Sequence, residues 1–153
     1  MAGFTITRHI AAGPETVFER ASDFHHAPQV IPAIVRVEML TDGPVRVGTR
    51  FRETRMMFKR EATETMEVLE FERPHRYLLG MESCGCRYRT EFRFTPNGQG
   101  TNVQMQFDGR PLTFFAKVMS VLMKPMMKSL AKMVEKDLDD LKAAIESGKA
   151  RGA

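Results

Sequence analysis

Few side chains in this sequence are placed to do chemistry, and most of them are charged residues in phase with apolar ones. Arg8 shares a parity with Phe4, Ile6 and Ile10, while Glu53 and Arg55 share theirs with Phe51 and Met57. On a strand, residues of one parity point to one face. A charge buried there must be paired or it costs several kcal/mol. Arg8, Glu53 and Arg55 are therefore candidates for the polar end of an apolar cavity, where they would hold a carboxylate or hydroxyl. A bulge or an edge position would instead turn them to solvent. The register around Glu53 is open, because Met56 and Phe58 are apolar on the opposite parity. Tyr88 alternates with Arg87 and Arg89, and its hydroxyl needs a partner if buried. It could orient a ligand, donate a proton or make a structural hydrogen bond. Tyr88 with Arg55 or Glu53 is the one acid–base constellation on offer. No His falls clearly on an inward face, which weighs against an enzyme.

Other reactive types are poorly spaced. His25 and His26 are adjacent, so on a helix they diverge by about 100° and do not share a metal easily. Cys84-Gly85-Cys86 has one residue between its thiols, where zinc sites use two to four and need four ligands. A disulfide across one residue would be strained, and Gly85 reads as a turn. Gly98 and Gly100 flank a hairpin instead of a strand-to-helix phosphate loop. No serine sits in a nucleophile elbow. The expectation is no metal and no cofactor.

The elements that would position these groups follow from periodicity. Phe4 to Ile10 alternates as a strand, and Pro14 with Glu15 opens a helix carrying Val17, Phe18 and Ala21. Asp23 is a candidate cap for a second short helix that Pro32 ends. About six further strands follow, including Thr49–Phe58, Glu61–Phe71 and one carrying Tyr77, Leu79 and Met81. Arg87, Arg89, Glu91 and Arg93 alternate strictly with Tyr88, Thr90, Phe92 and Phe94. After Pro96-Asn97-Gly98, Val103, Met105 and Phe107 alternate with Asn102, Gln104 and Gln106. One wet and one dry face predict an antiparallel sheet covered on one side. The dry face places Tyr77, Leu79, Met81, Tyr88, Thr90, Phe92, Met105 and Phe107 toward the cover. The same residues would equally pack a filled core, but the 12 methionines are soft residues suited to an adaptable pocket.

The cover is a helix from Leu112 to Ser147 with apolar residues at steps of three and four. Phe115, Met119, Leu122 and Met123 are its expected contributions to the cavity. At about 1.5 Å per residue it would be about 54 Å long, against a radius of gyration near about 15 Å. Pro125 should therefore bend it into a two-part helix that curves over the sheet. Lys117, Lys124, Lys128, Lys132 and Lys136 lie mostly on its other side. They read as a solvated face or as a weak membrane-surface contact. The aromatics alternate into the core and leave no stacking platform, so no nucleic acid is expected.

A chain of 153 residues is one domain by length, here 1–147 with a frayed basic tail over 148–153. The 23 Lys and Arg against 19 Asp and Glu give a mild net charge of +4, which permits an acidic partner without demanding one. No signal peptide and no apolar run of spanning length is visible. The expectation is a soluble cytoplasmic protein, monomer or homodimer, of the α+β class.

That element order, with Ala12-Gly13-Pro14-Glu15-Thr16-Val17-Phe18 entering the first helix, resembles the SRPBCC (START-like) superfamily. Within it, Val47-Gly48-Thr49, Phe71-Glu72-Arg73-Pro74-His75-Arg76-Tyr77 and Asp137-Leu138-Asp139-Asp140-Leu141-Lys142 make the chain similar to the polyketide cyclase/dehydratase and lipid-transport family. The resemblance implies a helix-grip fold, a curved sheet of about seven strands around a long C-terminal helix, with a cavity between. It implies binding of a hydrophobic small molecule, lipid-like or polycyclic. Two alternatives stand beside it: an aromatase/cyclase- or dehydratase-type enzyme in the same cavity, and a ligand-free interaction module using the Met-rich helix.

Overall fold

Local sequence sets the first elements of the protein, which a computed structural model describes over residues 2–148. Strand β1 (Ala2–Ile10) runs into helix α1 (Pro14–Ala21), with Pro14 in the first turn as its fixed φ favours. A short 3-10 turn (Phe24–His26) leads into α2 (Ala27–Val30). Asp23 does not cap this turn with its side chain. Its carboxylate instead bonds the His26 imidazole at 2.9 Å.

Six strands follow: β2 (Ile34–Met39), β3 (Arg50–Met57), β4 (Arg60–Glu72), β5 (Arg76–Ser83), β6 (Cys86–Asn97) and β7 (Gly100–Pro111). The seven-stranded sheet has the order β1-β7-β6-β5-β4-β3-β2, antiparallel throughout. Register shifts between Ile34 and Arg36 and between Val68 and Glu70 mark irregularities of the kind that curve a sheet. The β6–β7 register sets Thr90 opposite Phe107, Phe92 opposite Met105 and Phe94 opposite Val103. These residues face the helices, while Arg87, Arg89 and Arg93 are exposed on the other side.

The C-terminal segment is two helices, α3 (Phe114–Leu122) and α4 (Met126–Ser147), the two-part arrangement expected from Pro125. Pro125 lacks an N–H and takes the cap position of α4, so the chain turns at residues 123–125. Helix α3 begins where Thr113 Oγ1 accepts from the Ala116 N–H at 3.0 Å. Helix α4 lies in the concave sheet and buries Leu138, Leu141 and Ala144. It ends at Gly148, whose φ of 80° closes the helix. The expected basic tail, with Lys149 and Arg151, lies outside the described residues.

Where α1 fills the curve of the sheet, the core is closed. Val17, Phe18, Ile10 and Val103 are fully buried there. The Phe18 ring lies 5.2 Å from both Phe71 and Phe94, within the range of favourable aromatic pairing.

Candidate functional site: a cavity between sheet and helix

Beyond the α1 end, the space between sheet and α4 is not filled. A cavity of about 440 Å³ opens there. Its floor carries Tyr77, Leu79 and Met81 from β5, Tyr88, Thr90 and Phe92 from β6, and Met105 and Phe107 from β7. Alternation places them: each is on the dry parity of its strand. Glu53 and Arg55 from β3 complete the floor, and Met123 from the α3–α4 turn joins Met126, Met127, Leu130 and Val134 of α4 in the roof.

Four expected residues do not line this cavity. Arg8 faces α4 as its parity requires, but from the edge strand it meets the flank of the helix. Its Nε donates to Asp139 Oδ1 at 2.7 Å, and its guanidinium lies 3.6 Å from Glu135. Phe115, Met119 and Leu122 are exposed on α3. The expectation carried the α4 phase back through residue 125, and the break resets it. Ala116 is the buried residue of α3. It packs on the β5–β6 turn, where a side chain on Gly85 would come within 3.3 Å of the Ala116 Cβ. Gly85 has a φ of +74°, which explains the glycine between Cys84 and Cys86, two free thiols.

The polar end of the cavity is built on Arg55. Its Nη2 donates to Asp137 Oδ2 at 2.6 Å and its Nε to Glu53 Oε2 at 3.3 Å. All three side chains are at most 15 % exposed. Burial pushes the Glu53 carboxyl above its ordinary range, against the pull of Arg55 and with the help of Asp137. Burial likewise raises Asp137, although Arg55 opposes it. For Arg55, burial works against the charge, but the two carboxylates outweigh it and hold the guanidinium protonated. Glu64, directly across from Glu53 on β4, adds a further carboxyl to the wall and accepts from Ser83 Oγ at 3.0 Å. One guanidinium thus bonds two carboxyl groups, and Glu64 is a third acidic group in the same wall. The arrangement leaves Arg55 little capacity for a ligand carboxylate and suits a hydroxyl or an amine.

The two tyrosines have different roles. Tyr77 is fully buried, its hydroxyl donates to the Ala21 carbonyl at 3.1 Å, and burial raises its pKa. It ties β5 to the end of α1. Tyr88 stacks on Phe107 with ring centroids 5.5 Å apart. Burial first, then a hydrogen bond with Cys86, pushes its hydroxyl up to about 12. Tyr88 is therefore a neutral hydrogen-bonding group at physiological pH.

Asp137 and Glu64 are the site residues that sequence reasoning missed. Both had a signal. Asp137 lies three residues after Val134 and four before Leu141, on the apolar stripe, and Glu64 shares parity with Ala62 and Met66.

The sequence profile described as polyketide cyclase / dehydrase and lipid transport matches residues 1–146. The chain belongs to this family. Solved structures place the fold in the same group. A Thermus thermophilus protein is 21% identical with a TM-score of 0.78, over 96% of this chain and 99% of that one. A di-domain ARO/CYC protein of the steffimycin pathway is 14% identical with a TM-score of 0.74, over 92% of this chain and 49% of that one. A Thalictrum norcoclaurine synthase variant, solved with a transition-state analogue, is 15% identical with a TM-score of 0.73, over 97% and 96%. No curated protein matches the sequence significantly. These neighbours share the helix-grip fold, an antiparallel curved sheet with a long C-terminal helix. Among the described residues, no helix is long and apolar enough to cross a membrane.

Proposed function

We propose that the protein binds a hydrophobic small molecule, lipid-like or polycyclic, in the cavity between the sheet and α4. The observation that carries this reading is a cavity of about 440 Å³ with aromatic and methionine walls and one compact polar cluster. Ligand sites run from about 300 to 1,000 Å³ and combine apolar walls with a few polar groups. Burial of apolar ligand surface provides about 25 cal/mol per Å². Arg55, already paired twice, stabilises the carboxyl wall, and Glu53, Glu64 and Tyr88 select a hydroxyl or amine at one end of the ligand. The family description and the ARO/CYC neighbours favour a polyketide-like or lipid-like skeleton. Native purification, solvent extraction and mass spectrometry test this. A stoichiometric apolar compound supports the reading. An empty extract together with no thermal shift across a lipid and polyketide panel contradicts it and favours the ligand-free module.

One observation favours a second reading, acid catalysis in the same cavity. The Glu53 carboxyl lies inside it and holds its proton more tightly than an exposed glutamate. A general acid needs that property. Turnover of a cyclisable or dehydratable substrate that disappears in Glu53→Gln, with ligand affinity retained, identifies an enzyme. Binding without turnover leaves a carrier.

A further inference from the structure

The cavity mouth is framed by two elements that expose apolar side chains among cations. Helix α3 presents Phe114 at 82 % exposure and Phe115 at 71 %, with Val121 and Leu122 above 60 %. The sequence from Gly109 to Val134 has no Asp or Glu but carries Arg110, Lys117, Lys124, Lys128 and Lys132. Across the mouth, the β3–β4 hairpin tip exposes Phe58, with Lys59 and Arg60 beside it. Phe58 and Lys59 both take positive φ, 52° and 67°, which turns the tip sharply. Phe58, Met123 and Met126 are at once exposed and part of the cavity wall, so the outer patch is continuous with the interior. The acidic residues of α4 begin only at Glu135.

We propose that α3 and the β3–β4 tip dock the protein on an anionic lipid bilayer, with the cavity mouth against the membrane. Phe114, Phe115, Val121 and Leu122 enter the interfacial region, and the lysines meet the lipid phosphates, as an interfacial helix requires. Charge selects this occupant over a second copy of the chain. In a two-fold contact the cations of one copy's 109–134 segment, Lys117 of α3 among them, would face those of the other, with no carboxylate in either segment to neutralise them. Lysines beside a bilayer keep their charge in the headgroups while their stems lie along the apolar face. The surface centres on α3, not on the outer stripe of α4, where Lys136 is already paired with Asp140 at 2.8 Å. The geometry of docking is independent of what the cavity holds. Its purpose, exchange of ligand with the bilayer, rests on the hydrophobic-ligand reading.

The test is sedimentation of the full chain with vesicles of phosphatidylcholine containing phosphatidylglycerol, against phosphatidylcholine alone. Binding should be at least about tenfold tighter to the anionic vesicles and should weaken with salt. Phe114→Asp with Phe115→Asp should lower it by about tenfold or more, with the melting temperature unchanged because both residues are exposed. The chain has no tryptophan, so Phe115→Trp gives a single reporter. Its emission should shift to the blue with anionic vesicles and be quenched by brominated lipid. Protein that stays in the supernatant, or a Trp that stays solvent-exposed, overturns the proposal. So does self-association that Phe114→Asp with Phe115→Asp abolishes while vesicles bind neither form; that result assigns the face to a second copy. Titration of N-phenyl-1-naphthylamine without vesicles reports the cavity separately, so the two readings fail independently.

Discussion

The two ends of the sheet differ in what fills their curve. At the α1 end, Val17 and Phe18 fill it, and Ile10, Val103 and Tyr77 are buried to within 1 %. At the α3 end the sheet faces a roof rich in methionine, Met123, Met126 and Met127, and the space beneath them is open. Rigid aromatic packing at one end and flexible thioethers at the other divide the work. The first holds the fold together, and the second leaves room that can adapt to a ligand. Between them lies the Glu53–Arg55–Asp137 cluster, where burial and charge are in tension.

This contrast is open to attack at each end. Phe18→Ala should have the largest effect, about 3–5 kcal/mol of lost stability, because the cavity it leaves is walled by other rings. Denaturant melts check it, and probe binding at the open end should survive in the folded fraction. Arg55→Met should cost about 3 kcal/mol or more, since it strands two buried carboxylates. Its instability should be partly relieved in the Arg55→Met, Asp137→Asn double variant. Met126→Ala, at the open end, should cost no more than about 1 kcal/mol but should change probe affinity. A stability loss as large as that of Phe18→Ala would erase the distinction between the ends.

The smallest expected effect is on pH dependence. Burial raises the Glu53 and Asp137 pKa values, so the folded state binds more protons than the unfolded chain. Stability then falls as pH rises from the ordinary carboxylate range through the raised values, and levels off above them. Glu53→Gln should lose part of that slope while Asp137 keeps the rest, as read by urea melts across pH. A stability that rises over this window would show that Arg55 outweighs burial.

Much of the cavity floor was legible because the sheet has one wet face. Arg87, Arg89 and Arg93 fix where Tyr88, Thr90 and Phe92 must point, whatever the strand order. The polar cluster was half legible. Parity brought in Glu53 and Arg55, but Asp137 arrives from 82 positions further along. Arg8 shows what parity leaves out: it gives the face of a strand, not its place across the sheet. β1 lies at the edge beside β7, so Arg8 reaches the helix flank. Helix α3 shows a second limit. Pro125 signals a break, but the rotation of α3 before it depends on Ala116 packing against the β5–β6 turn, a contact with no local signature.

The claim that the open end is a ligand site has one direct test. N-phenyl-1-naphthylamine is titrated into the wild type and into Thr90→Trp, a substitution that fills the middle of the cavity floor. The account predicts saturable one-to-one binding by the wild type. It predicts affinity weaker by about tenfold or more, a loss of about 1.4 kcal/mol, in the filled variant at an unchanged melting temperature. Equal binding by both proteins would place the probe elsewhere and contradict a cavity site.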